Sequence, residues 1–408
     1  MIFSRARCVS HLFSMAIFLS LFVSGASLNY IGLNYSGDDA ASGVKIHPYV
    51  ILTAASLFVL FWSNSSRNVM LSNRMSRRSI VFSIIIIFIL IIKFQSGARQ
   101  SLGFAVDTLV SALWAAAVVP FLSEKFATRI WRMGFVFVVI ECAIAAAEVV
   151  AKYQFIPIDT WYGSYFRATA LHGHPLNNAL VLLSVVFSLQ LSASRRISVF
   201  LFLISTIALT AFGARGALAV YLTTNCLMFV RFGLRSSGRL SVVLFSSPII
   251  LIVLGWLLLS GALGDRIANV GAYDDSSDVR LHSIKMMEDL NWGNLLIGVD
   301  PDRVIEIMKN ANVGVVENFL IAYVFLFGVV CTIIIFYCFW VIVQCLARVG
   351  EVESKETVYA IFLVFFLVAI TNNSLATKTP ALYLCIVFAW VAGRVKKVRK
   401  LKVNHKVI

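Results

Sequence analysis

The chain has 408 residues, of which 60% are hydrophobic and 13% charged, about half the charged share of an ordinary soluble domain. A surface this apolar cannot be hidden by folding alone, which excludes a soluble globular protein and requires lipid to cover part of it. The net charge of +15 does not imply nucleic acid, because the basic residues lie in short runs between apolar stretches.

Twelve apolar stretches suit membrane-crossing helices: 10–28, 46–62, 79–94, 103–122, 133–151, 176–192, 198–213, 216–231, 241–262, 317–345, 357–376 and 380–393. They predict an all-α polytopic membrane protein. Arg5 and Arg7 precede the first apolar run much as in a secretory signal, but the polytopic remainder favours an uncleaved first helix. The ninth stretch contains Pro248, and the tenth is long enough to tilt or to begin outside the membrane. With a cytoplasmic N-terminus, the inside segments hold 23 of the 35 Lys and Arg residues, and the outside connections hold few each. That alternation predicts an even number of spans with both termini inside.

The chain then divides into an N-terminal bundle (1–151), an outer loop (152–175), spans six to nine (176–262), a large outer loop (263–316), spans ten to twelve (317–393) and a basic cytoplasmic tail (394–408). The large loop carries nine of the twenty acidic residues. Within it, Val279, Ile284, Met287 and Leu290 share one face of a predicted amphipathic helix over 278–290. Asp300 followed by Pro301 reads as an N-cap and first helical residue, opening a second helix that ends near Asn310. The seven cysteines have no metal-site spacing, and Cys331, Cys338 and Cys345 recur every seven residues as packing positions on one helix face.

Four features fall on the outer side: Arg167 to Asn178 with His172, His174 and Asn177; the turn Gly213-Ala-Arg215-Gly216; Arg280, followed by Leu296-Ile-Gly-Val299; and Glu317-Asn318 at the start of the tenth span. Each has a plain alternative. Arg215 fits an interfacial anchor and Arg280 a solvated helix residue. His172 and His174 lack a third ligand for a metal, and Asp300-Pro301-Asp302 is accounted for by helix capping. Asp107, Glu141 and Glu148 lie inside spans, where ionisable groups usually face a cavity; the last two, seven residues apart, share a face.

Taken in order, the four features resemble those of the O-antigen ligase and Wzy-type polysaccharide polymerase family. The resemblance covers roughly residues 160–330. The turn lacks the serine of the family's Ser-Arg-Gly pattern, Asp300 stands where a second glycine is usual, and Glu317 stands where a histidine precedes the asparagine. The resemblance implies a GT-C-like membrane glycosyltransferase of the bacterial inner membrane with its active face periplasmic. The donor would be an oligosaccharide on undecaprenyl diphosphate, with membrane lipid around it and no nucleic acid. A chain-length regulator and a flippase are candidate partners. No cofactor and no metal are implied. Arg167, Arg215 and Arg280 would hold the departing diphosphate, and Glu317 would serve as base, with Arg280, Arg215 and Glu317 the catalytic set. His172, His174, Asn177, Asn318 and Arg167 would contact substrate, and His282 is a further candidate base. The glutamate favours polymerase over ligase. A transporter of lipid-linked sugars is the competing class, although spans one to six show no repeat in spans seven to twelve.

Overall fold

The computed structural model describes residues 2–33, 35, 45–62, 64–95, 102–157, 166–233, 282–288, 290–311, 313, 316–349 and 352–404. The predicted ninth span and Arg280 lie outside the described residues. The regular structure among the described residues is helical. The first half comprises α1 (Ile2–Phe22), α2 (Gly25–Tyr30), α3 (Pro48–Phe61), α4 (Asn64–Ser72), α5 (Arg74–Gln95), α6 (Leu102–Ala105) and α7 (Ser111–Val118), the last two joined by a π-helical turn at Val106–Val110. Then come α8 (Glu124–Ala151), α9 (Pro175–Ser192), α10 (Arg195–Ala211) and α11 (Arg215–Gly233). The last part holds α12 (Trp292–Ile297), α13 (Pro301–Asn310), α14 (Phe319–Val349), α15 (Val352–Ile370) and α16 (Ala381–Asn404).

Among the described residues, five helical segments are long and apolar enough to cross a membrane: Arg74–Gln95, Gly103–Phe121, Glu124–Ala151, Pro175–Ser192 and Phe319–Arg348. Ala6–Phe22, Pro48–Phe61 and Arg215–Val230 are shorter apolar helices. The outer faces carry stripes of exposed apolar side chains at helical spacing, such as Val81, Ile84, Phe88 and Ile91 on α5 and Ile333, Tyr337 and Trp340 on α14. The chain is a helical membrane protein. Its hydroxyls follow the same logic: Ser79, Ser83, Ser184, Thr206 and Thr210 each donate to the carbonyl four residues earlier, which satisfies them without water.

Burial separates centre from rim. The α9 span is 83% buried and Gly103–Phe121 is 78% buried, against 39% for α5 and for α8. Helix α9 packs on α16, which is buried from Ala381 to Ala392, so these two with α7 form the centre. Side-chain bonds also sort the connections into two groups. At one end, Ser76 donates to the Ala117 carbonyl, Arg78 reaches the Cys345 sulfur at 3.6 Å, and Trp131 donates to Ser192. At the other end, His47 meets Asp107, Thr108 meets Thr377, Asn177 meets Thr377, and Phe319 meets Asn372.

The structure corrects several elements. The tenth predicted span is broken: Gly328 inside α14 has φ 77°, which leaves the helical region. The eleventh ends at Ile370 rather than 376, and Thr371 to Pro380 form a polar connection containing only a single 3-10 turn. The amphipathic helix predicted over 278–290 is reduced, among the described residues, to 282–285 followed by a turn. Helix α13, by contrast, spans Pro301–Asn310 as its capping signal predicts.

Candidate functional site

Helix α8 sets the first part of the site. It begins where Ser123 Oγ accepts from the Phe126 N–H and ends at Lys152, which adopts a left-handed conformation. One turn before that end, the fully buried Glu148 carboxylate accepts from the N–H groups of Phe155 (2.8 Å), Thr169 (2.7 Å) and Ala170 (2.9 Å). It thus folds the segment after Phe166 back over the bundle, and its role is structural. Asn178 closes the same loop, accepting from the His172 N–H at 2.8 Å and donating to the Thr169 carbonyl. Gly173 has φ 71°, and a Cβ there would come within 2.2 Å of the Ala26 methyl, so α2 seals this loop from above. Glu141 is also fully buried. Its Oε2 accepts from the Leu171 N–H at 3.3 Å, while Oε1 has no partner among the described residues.

The loop carries Arg167 to its place. Arg167 is 6% exposed and its Nε donates at 2.9 Å to the carbonyl of Phe212. The Ala168 N–H donates to Ala211 at 3.0 Å. Two of the sequence features, the 167–178 segment and the 213–216 turn, are therefore bonded together. In the turn, Gly213 has φ 61° and Arg215 opens α11. Arg215 lines a small recess with Leu176, Gly216, Thr371 and Asn372. A Cβ on Gly216 would lie 2.6 Å from the Thr371 Cβ, so glycine lets the Thr371 side chain pack against the turn.

Asn372 links the fourth feature. Its carbonyl accepts from the Phe319 N–H at 3.2 Å, at the residue after Glu317-Asn318, and Asn318 Oδ1 accepts from the Leu320 N–H at 2.9 Å to cap α14. Arg167, Arg215 and the Glu317-Asn318 pair thus converge at one end of the bundle through Phe212 and Asn372. The Leu296–Val299 part of the remaining feature lies against the middle of α14, and Arg280 lies outside the described residues. Gly298, with φ 98°, crosses α14 at its break, where the Val299 N–H donates to the Phe325 carbonyl at 2.7 Å and Lys93 donates to the Ile297 carbonyl. Helix α14 breaks at Gly328, whose φ of 77° is non-helical, and the missing Cβ lets the Leu296 carbonyl oxygen approach to within 2.3 Å of where it would lie. His282 is exposed and lines neither this cavity nor the next.

A second small recess lies on the other side of the first turn of α9 and is lined by Tyr35, His47, Asp107, His172, Asn177 and Lys378. The Asp107 carboxylate accepts from the Tyr35 hydroxyl and, at 3.1 Å, from the His47 N–H. Lys378 Nζ donates to the carbonyls of Tyr35 (3.1 Å) and Lys45 (3.2 Å) and lies 4.2 Å from the Tyr35 ring centroid. Burial lowers the Lys378 ammonium from its ordinary value, and the Asp107 charge opposes that shift. Burial also holds His47, His172 and His174 down to about 4, so their rings are neutral near pH 7. His174 is further lowered by the Arg167 charge.

The residues that sequence reasoning missed are those of the 371–380 connection, with His47 and Tyr35. Their signal was the run Thr-Asn-Asn-Ser followed by Thr-Lys-Thr-Pro between two apolar stretches. Among the described residues no three His, Cys, Asp or Glu side chains gather as a metal site. No protein-family model matches the chain, and no curated protein is significantly similar to it.

Proposed function

We propose that this chain polymerises oligosaccharide repeat units carried on undecaprenyl diphosphate, at the periplasmic face of the inner membrane, as a protein of twelve spans with both termini cytoplasmic. The observation that carries this reading is the Arg215 cavity. Its arginine opens a helix, its wall is bonded to the backbone beside Glu317, and its turn is bonded to Arg167. The positive end of α11 and the guanidinium of Arg215 both favour an anion there, as the donor's diphosphate requires. An acceptor hydroxyl attacks the anomeric carbon as the bond from that carbon to the diphosphate oxygen breaks. The proton passes to Glu317, and arginine offsets the charge left on the diphosphate.

The test uses cells deleted for the gene and complemented with wild type or Glu317→Gln at equal protein level. Long glycan chains return with wild type, while Glu317→Gln leaves single exported repeat units. Chains that grow normally with Glu317→Gln sink the base assignment. Complete chains left on the lipid carrier in the deletion point to a ligase, and repeat units trapped on the inner leaflet point to a transporter.

A further inference from the structure

The segment before α14 carries an apolar surface that the mechanism above does not use. Helix α12 reads Trp-Gly-Asn-Leu-Leu-Ile, without a charged side chain. It leaves Trp292 79% exposed and Ile297 70% exposed, with Leu296 open beside them. Side chains of this kind grouped on one short helix are costly to leave in water. Their level along the bundle follows from α5 and α14, which run antiparallel and meet at two places. At one, Arg78 reaches Cys345; at the other, Lys93 donates to the Ile297 carbonyl, where Gly298 crosses α14 at Gly328. Fifteen residues separate Arg78 from Lys93 and seventeen separate Gly328 from Cys345, about 22–25 Å at the helical rise. Basic side chains at span ends reach somewhat further, so that length fits a hydrocarbon core of about 30 Å. Lys93 and Gly328 therefore mark one edge of the core, and α12 lies at that edge.

Three further observations fit that place. A segment that touches lipid must satisfy its own backbone, and this one does. The Leu295 and Gly298 N–H groups donate to the Asn291 (2.9 Å) and Asn294 (2.8 Å) carbonyls, and the Val299 N–H donates to Phe325 at 2.7 Å. Lys93, itself buried, directs an N–H to the Ile297 carbonyl. The apolar surface also continues onto the spans, with Ile91, Ile92 and Phe94 exposed around Lys93 and Val330 and Ile333 exposed just past the break in α14. Charge appears only beyond that level. Helix α13 packs Ile307 with Ile321 and Phe325, on the part of α14 before the break, and leaves Arg303, Glu306 and Lys309 exposed. We propose that α12 is a membrane anchor, lying in the interface of one leaflet with Trp292, Leu296 and Ile297 against lipid. Tryptophan is favoured at that depth because its ring is apolar and its N–H polar. The anchor fixes the height from which the chain rises through α13 to Glu317. It requires only a bundle embedded in a membrane and is independent of the reaction proposed above.

The experiment is spin-label accessibility on the full chain in nanodiscs of phosphatidylcholine and phosphatidylglycerol. Cys8→Ala, Cys226→Ala and Cys331→Ala first remove the thiols that are not buried. The label is then introduced through Ile297→Cys. Ile84→Cys, on the exposed apolar face of α5, is the lipid reference, and Lys309→Cys, on the exposed face of α13, is the water reference. Oxygen concentrates in the bilayer and a nickel chelate stays in water, so the ratio of their collision rates reads depth. On α12 the ratio is expected to favour oxygen, as at the Ile84 position though less strongly, because the interface is shallower than mid-span. A ratio that favours the chelate, as at the Lys309 position, places α12 in water and overturns the proposal. Few collisions with either reagent mean that protein covers this face, from another part of the chain or from a second copy, and overturn it too. Should the Ile297 variant not fold, as judged by its melting curve, Leu296→Cys labels the same surface and is read by the same criteria.

Discussion

The two cavities lie on either side of one helix turn and use their polar groups in opposite ways. Around Asp107 the charges are balanced and mostly bonded to the protein itself, with a few donors and acceptors left over. Around Arg215 a cation stands at the start of a helix, and Thr371 and Asn372 line the same recess. Arg215→Leu is the sharpest way to break that contrast. It should lower polymer formation by about 10²–10³-fold, the range for losing one donor that stabilises charge in a transition state. The measure is radiolabelled chain growth in membranes at equal protein level. Unchanged growth would falsify the assignment of the anion to this cavity.

A smaller effect is expected from Glu148→Gln, and it should touch both cavities at once. The carboxylate holds three backbone N–H groups of the segment that delivers Arg167 toward one cavity and His172 to the other. An amide of the same shape presents one acceptor oxygen in place of two, so a buried N–H loses its partner, at a cost of about 1–3 kcal/mol. The melting temperature of the solubilised protein should fall, and chain growth should weaken with it. A lower melting temperature with unchanged chain growth would mean that the loop does not position Arg167 for the reaction.

Much of this arrangement was legible in the chain, and the failures have identifiable causes. The Asp300-Pro301 signal marked the start of α13 because capping is local. The break in α14 was not legible, since Gly328 sits in an apolar run and reads as helix interior; only the crossing by Gly298, thirty positions earlier, requires φ 77° there. Asp107 was visible as an ionisable residue inside a span, but not its partners. Tyr35, His47 and Lys378 come from two other connections, and no spacing along the chain relates them. Arg280 lies outside the described residues, so the third arginine of the predicted set has no position to compare.

The smallest expected effect is one of pH. His47, His172 and His174 are each held near 4 by burial, below the ordinary value of 6.5. Between those values the unfolded chain binds more protons at these rings than the folded one. Their contribution to stability is therefore complete above about 6.5 and is lost as pH falls through 4. Two of the three, His47 and His172, line the Asp107 cavity, whereas none lines the Arg215 cavity. Read as the difference between wild type and His172→Gln, this contribution should make the wild type lose melting temperature relative to the variant on acidification across that window. A difference that instead stays level across the window would mean that the ring titrates as if exposed.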